Sequence, residues 1–182
     1  KKFKRLINVE CEGFRAPSFS LDQRTTWALA LLAKEGFIYD SSVVPARTPL
    51  YGVPNAPLRP YRPCLLDLRI EDENGPILEF PITTLALGPL RFPMGGGFYL
   101  RLVPASLVLS LVRRLNKCGI PAVLYVHLWE IAPYVPRLPL PNPLKIFITY
   151  YNLRKTINKL KYILLRARFI SFRSFIENEG LF

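Results

Sequence analysis

The 182-residue chain is half apolar and 13% aromatic, which excludes a disordered chain and supplies enough material for one domain with a sizeable core. Twenty-five Lys and Arg stand against 13 Asp and Glu, a net charge of +12; this leaves either an anionic neighbour (nucleic acid, acidic glycan, phospholipid surface) or a solvated basic face. No run of about 18 apolar residues exists to span a membrane. Cys11, Cys64 and Cys118 are too scattered for a disulfide framework or zinc site, and a reducing compartment fits them best.

In chain order, KRLINVECE (Lys4 to Glu12) reads as a strand leading into the turn GFRAPSFS, with Arg15 at its tip. A helix is expected next, with Ser20 as N-cap, Trp27, Leu31 and Leu32 on its apolar face, and Gly36 as the stop. FIYDSS (Phe37 to Ser42) is a second strand, which completes a strand–helix–strand unit. The chain holds 18 prolines, clustered at Pro45–Pro63 and Pro133–Pro143, which predicts two long stiff loops. Between them, CLLDLRIEDENGPILEFPITTLAL reads as two strands around an Asn74-Gly75 turn.

Gly95-Gly96-Gly97 then precedes Phe98 and Tyr99. It lacks the spacing of a phosphate loop and marks a tight strand entry or a close substrate approach. Pro104 opens a helix that stops at Gly119. PAVLYVHLWE is an apolar run of strand length ending at His127, Trp129 and Glu130. After the second Pro-rich loop, Leu153, Ile157, Leu160, Leu164 and Ala167 define the apolar face of a basic helix. Arg154, Lys155, Lys159, Lys161, Arg166 and Arg168 supply its charge. That basic face is either solvated or turned to a membrane or nucleic acid.

Strands alternating with helices predict an α/β architecture with mostly parallel strands, in which chemistry gathers at strand C-terminal ends. Arg15, Asp40, and His127 with Glu130 stand at those ends. His127 is the only histidine. It reads either as a packed structural residue or as a general acid or base, with Asp40 accepting from one imidazole nitrogen.

The ordered series GFRAPSFS, YDSSVVP, YGVPNAP, LEFP, MGGGFYLRL, VHLWE with PRLPLP, and YYNLRKT resembles the C-terminal part of the NodB-homology polysaccharide deacetylases (carbohydrate esterase family four), in particular an exopolysaccharide- and exosortase-associated subgroup. The resemblance implies a distorted (β/α) barrel that hydrolyses N-acetyl groups from a polysaccharide or oligosaccharide with a divalent metal, zinc or similar. In that family an aspartate and two histidines hold the metal, and a second aspartate is the base. Their motifs lie upstream of what these residues match. The resemblance therefore implies that residues 1–182 are the C-terminal portion of one such domain, that 144–182 are its basic helix and closing segment, and that this portion alone is inactive.

By the same resemblance, Arg15 pairs with the base aspartate, and Pro17 stiffens the turn. The Ser18 N–H stabilises the oxyanion, His127 protonates the leaving amine and Asp40 tunes His127. Trp129 and Glu130 follow the histidine as in the subgroup, with Leu128 where it has proline, and Gly96 and Gly97 fall among the substrate contacts. The expected location is the cytoplasm or the cytoplasmic face of the membrane, with no specific nucleic acid as partner. The alternatives are a carbohydrate-binding pseudoenzyme and a basic adaptor for nucleic acid or a membrane surface.

Overall fold

A computed structural model describes residue 6 and residues 8–181. Strands Gly13–Phe14 (β1), Tyr39–Asp40 (β2) and Leu78–Glu79 (β3) form a parallel sheet in the order β1-β2-β3, with Phe14, Asp40 and Glu79 in register across it. The strand expected over Lys4–Glu12 falls in part on residues 4, 5 and 7, outside those described. In the remainder, pairing starts only where Glu12 O accepts the N–H groups of Ile38 (2.8 Å) and Tyr39 (3.2 Å). Val9 is exposed, and Asn8 takes φ +51, which an extended strand does not use.

Helix Trp27–Lys34 (α1) joins β1 to β2 and ends, as expected, before Gly36 at φ +88. Its start and its face differ from expectation. Thr26, not Ser20, is its N-cap. Leu29 is fully buried, while Trp27 and Leu31 are exposed, because the helix packs on Val43, Val53, Leu68 and Ile77. The first Pro-rich loop lacks regular structure yet is core: Val43, Val44, Ala46, Val53 and Ala56 are buried.

The expected hairpin at Asn74-Gly75 does not form. Thr84–Leu87 (β4) and Leu90–Pro93 (β5) pair antiparallel around Gly88-Pro89 instead. Gly88 at φ +57 followed by proline gives the sign pattern of a type II′ hairpin turn, whereas Gly75 N–H closes a local turn onto Asp72 O.

Helix Gly97–Leu102 (α2) follows. Then comes Ala105–Lys117 (α3), bounded by Pro104 and Gly119 as the sequence predicts. The apolar run after it is extended beside the sheet, with Thr83 N–H donating to Val123 O (3.2 Å) and Tyr125 N–H to Gly95 O (2.7 Å). Helices Pro143–Tyr150 (α4), Leu153–Leu164 (α5) and Phe172–Glu179 (α6) close the chain. On α5 the buried residues are Thr156 and Ile163. Ile157 and Leu164 of the expected face are exposed, because Ile163 turns toward Met94, Leu100 and Val108.

The architecture is α/β. Among the described residues no barrel closes: they hold a three-stranded parallel sheet and a separate hairpin. Among the described residues no helix is long and apolar enough to cross a membrane.

Candidate functional site

The parallel strands deliver Arg15, Asp40 and Glu79 to one end of the sheet. Arg15 keeps solvent exposure as a residue, but its guanidinium is tied down. Nε donates to Ser41 O and Nη2 to Ser41 Oγ, both at 2.7 Å, and Ser41 Oγ donates on to Phe80 O at 2.8 Å. The guanidinium also lies 5.9 Å from the ring centroids of Phe19 and Tyr125. Desolvation lowers its pKa, and the charges of Glu79 and Asp40 oppose that shift. The turn beside it is strained: Ser18 and Phe19 take φ +56 and +52 in succession. Buried Phe19 holds that geometry by packing on Tyr125 (4.8 Å) and Tyr51 (5.3 Å). Pro17 and Ser18 are exposed.

Tyr125 links the two halves of the site. Its ring meets His127 edge-on at 5.4 Å, and Trp129 stacks on His127 at 6.1 Å with 16° between planes. Burial and the neighbouring Tyr51 raise the Tyr125 phenol well above an ordinary tyrosine, so it stays protonated. His127 and Trp129 are exposed. Arg15 and His127 thus share one aromatic neighbour.

Other sequence-predicted site residues have different surroundings. Gly96 and Gly97 are buried, and the close approach they allow is to Tyr125. A Cβ at Gly96 would sit 2.1 Å from Tyr125 O, and one at Gly97 would sit 2.8 Å from its hydroxyl. Glu130 turns inward: Oε1 accepts from Arg101 Nε at 2.7 Å, with both side chains nearly sealed from water. Its Oε2 accepts the His127 N–H at 3.0 Å, and Glu130 N–H returns to His127 O at 2.9 Å. This reciprocal capping box fixes the turn that carries the imidazole. The Arg101 guanidinium reaches on to Ile148 O, Thr149 O and Tyr151 O and lies 5.6 Å from the Trp129 ring. Lys159 in turn donates to Arg101 O (2.5 Å) and Val103 O (2.6 Å), capping the end of α2.

Asp40 is not a partner of His127. It is fully buried, Oδ1 accepts from Ser42 Oγ at 2.7 Å, and Ser42 Oγ also accepts Ala16 N–H at 2.7 Å. Register with Glu79, not proximity to the imidazole, decides its surroundings. Glu79, which the sequence reading did not single out, is fully buried as well, and its Oε1 accepts Val43 N–H at 2.9 Å.

Asp40 Oδ2 and Glu79 Oε2 have no other hydrogen-bond partner among the described residues. Burial raises both carboxyls; the charge and hydrogen bond of Asp40 raise Glu79 further, while hydrogen bonds from Glu79 and Ser42 oppose the rise in Asp40. One proton held on Glu79 and donated to Asp40 gives both orphan oxygens a partner. The signal in sequence was a single acid inside the apolar run ILEFPIT.

Residues 41–177 match a domain of unknown function, DUF3473. The chain belongs to that family. Glu79, Arg101, His127 and Glu130 fall within the matched span of this DUF3473 chain, and Arg15 and Asp40 precede it. No curated protein and no solved structure matches the chain.

Among the described residues of the DUF3473 chain, no group of three or more His, Cys, Asp or Glu is placed to hold a metal ion. The buried carboxyl pair has no third His, Cys, Asp or Glu grouped with it among the described residues. Two open clefts of about 330 and 390 Å3 are lined around Gly119–Pro121 and Phe175, and neither includes Arg15, His127 or Trp129.

Proposed function

We propose that residues 1–182 are the C-terminal portion of a polysaccharide deacetylase domain of the NodB-homology type, acting on N-acetylated sugars. The observation that carries this reading is the meeting of Arg15 and His127 on the Tyr125 ring, with Trp129 stacked beyond the imidazole. In this reading β1, an edge strand among the described residues, is continued by upstream sequence into a distorted (β/α) barrel. That upstream sequence supplies the metal ligands and the base aspartate.

The contribution of this chain is positional and acid–base. Amide hydrolysis joins water oxygen to the acetyl carbon and breaks the C–N bond. His127, exposed and held by the Glu130 box, hands a proton to the departing nitrogen, so that acetate and a free amine result. Arg15, fixed by Ser41, presents a cation toward the incoming carboxylate of the base, for which a guanidinium fork is suited. The exposed Ser18 N–H serves the developing oxyanion from a turn kept in shape by Phe19. Tyr125, His127 and Trp129 form an aromatic wall for the apolar face of a pyranose ring. Glu130, Gly96 and Gly97 position these groups without touching the sugar, and Asp40 acts with Glu79 on the Arg15 side.

The test is acetate release by the full-length chain from oligomers of N-acetylglucosamine. Release is expected, and Arg15→Met is expected to lower it. Saturable oligomer binding with no acetate release would overturn the catalytic reading in favour of a carbohydrate-binding role.

A further inference from the structure

Helix α4, PLKIFITY, is apolar and has no buried residue. Leu144 is 62% exposed, and Ile146, Phe147 and Ile148 lie between 39 and 45%. Most surface helices gain their stability by burying an apolar stripe. This one is held at its ends and by Phe147, whose ring meets Phe98 at 5.7 Å and Tyr151 at 4.8 Å. Asn142 Oδ1 caps Leu144 N–H at 2.8 Å, and Arg101 gathers the carbonyls of Ile148, Thr149 and Tyr151 at the other terminus. The preceding loop is pinned to it: Tyr150 Oη accepts Leu138 N–H at 2.7 Å and donates to Pro136 O at 3.2 Å, leaving Leu138 and Tyr134 61% and 78% exposed. The result is a fixed apolar surface open to solvent.

Its charge surroundings are one-sided. Residues 131 to 170 contain eight Lys or Arg and no Asp or Glu. Arg137, Lys145, Arg154 and Lys155 are exposed, and none forms an ion pair with an acid among the described residues. A second copy would set cations against cations with no acid to offset them. A nucleic acid would use the cations but leave Leu144 and Ile146 in water.

We propose that α4 and the loop before it form a docking surface for an anionic phospholipid bilayer. The apolar side chains enter the headgroup boundary, and Arg137, Lys145, Arg154 and Lys155 meet the lipid phosphates. Arg101, which caps α4 and also pairs with Glu130, ties this surface to the turn that carries His127. Docking on this face therefore sets the candidate site close to the membrane. The inference does not depend on the deacetylase reading, and its test measures no acetate.

The experiment is co-flotation of the full-length chain with vesicles of phosphatidylcholine alone or with phosphatidylglycerol. Binding is expected only with phosphatidylglycerol, and it should fall as salt is raised. Lys145→Gln with Arg137→Gln is expected to weaken it roughly tenfold or more. Leu144→Glu with Ile146→Glu is expected to abolish it at an unchanged circular dichroism spectrum. If the glutamates unfold the protein, Leu144→Ser with the two glutamines decides. Absence of flotation at low salt, or flotation indifferent to these substitutions, would overturn the proposal. Two further results would also overturn it: binding of duplex DNA kept by the glutamate variant, or self-association lost in that variant.

Discussion

Removing Glu130 should destabilise this protein as the loss of one partner of a buried ion pair does. The Arg101 and Glu130 side chains are 2% and 1% exposed, and Glu130 is the only carboxylate that Arg101 pairs with among the described residues. Glu130→Ala leaves a guanidinium sealed in a low-dielectric setting with only carbonyl dipoles around it. Breaking a buried pair from one side costs about 3–5 kcal/mol. The same change removes the acceptor for His127 N–H, roughly a further 1 kcal/mol.

Glu130→Gln keeps the shape and an acceptor, so its cost should be smaller, about 1.5–3 kcal/mol, the usual worth of a charged hydrogen bond. Replacing both partners, Arg101→Met with Glu130→Met, should cost less than the two single changes together, by about 1–3 kcal/mol of coupling. Urea denaturation at neutral pH of the parent chain, Glu130→Ala, Glu130→Gln, the two single Met variants and the double variant measures all of this. A cost below about 1 kcal/mol for Glu130→Ala, or strict additivity in the double variant, would refute the argument that the pair is buried and shared.

The carboxyl pair gives a pH prediction. Burial raises Glu79 well above the ordinary glutamate value of 4.5 and raises Asp40 above 3.8. A raised folded-state pKa favours the protonated native protein. That contribution is complete below the unfolded values and is lost as pH climbs through the folded ones. Stability should therefore decline as pH rises from about 4.5 through the raised value of Glu79, and Glu79→Gln should flatten that decline. An identical slope in the variant would show that Glu79 ionises freely. Gly96→Ala should destabilise by about 1–3 kcal/mol or more, because its Cβ meets Tyr125 backbone at 2.1 Å. Gly119→Ala finds open space and pays only for φ +71, about 1–2 kcal/mol. Urea midpoints that rank the two the other way would contradict this reading of the Gly96–Tyr125 contact.

Local signals in the sequence located α3 well, since Pro104 and Gly119 act on their own neighbours whatever the rest of the chain does. They failed where a distant partner decides. The face of α1 is chosen by the Pro-rich loop that covers Leu29, and that of α5 by the cluster around Met94 and Leu100. The Asn74-Gly75 hairpin signal failed because residues 78–79 pair with β2 instead. Arg15 and His127 were legible as strand-end residues. Their common contact with Tyr125 was not, because it needs the Gly95–Gly97 backbone to lie against residues 123–125. Asp40 was placed at the right strand end and given the wrong partner: nothing local reveals that register sets Glu79 opposite it. Glu130 was read as a strand-end residue of the candidate site, and nothing local reveals that Arg101, 29 positions earlier, claims it.

The central claim is that the His127 imidazole, held beside Tyr125 and Trp129, delivers a proton to the leaving nitrogen of an N-acetylated sugar. Steady-state acetate release by the full-length chain and its His127→Ala variant tests it most directly. The account predicts a fall in kcat of about 10²–10⁴-fold with KM nearly unchanged. An unchanged kcat, or a loss confined to KM, would contradict it.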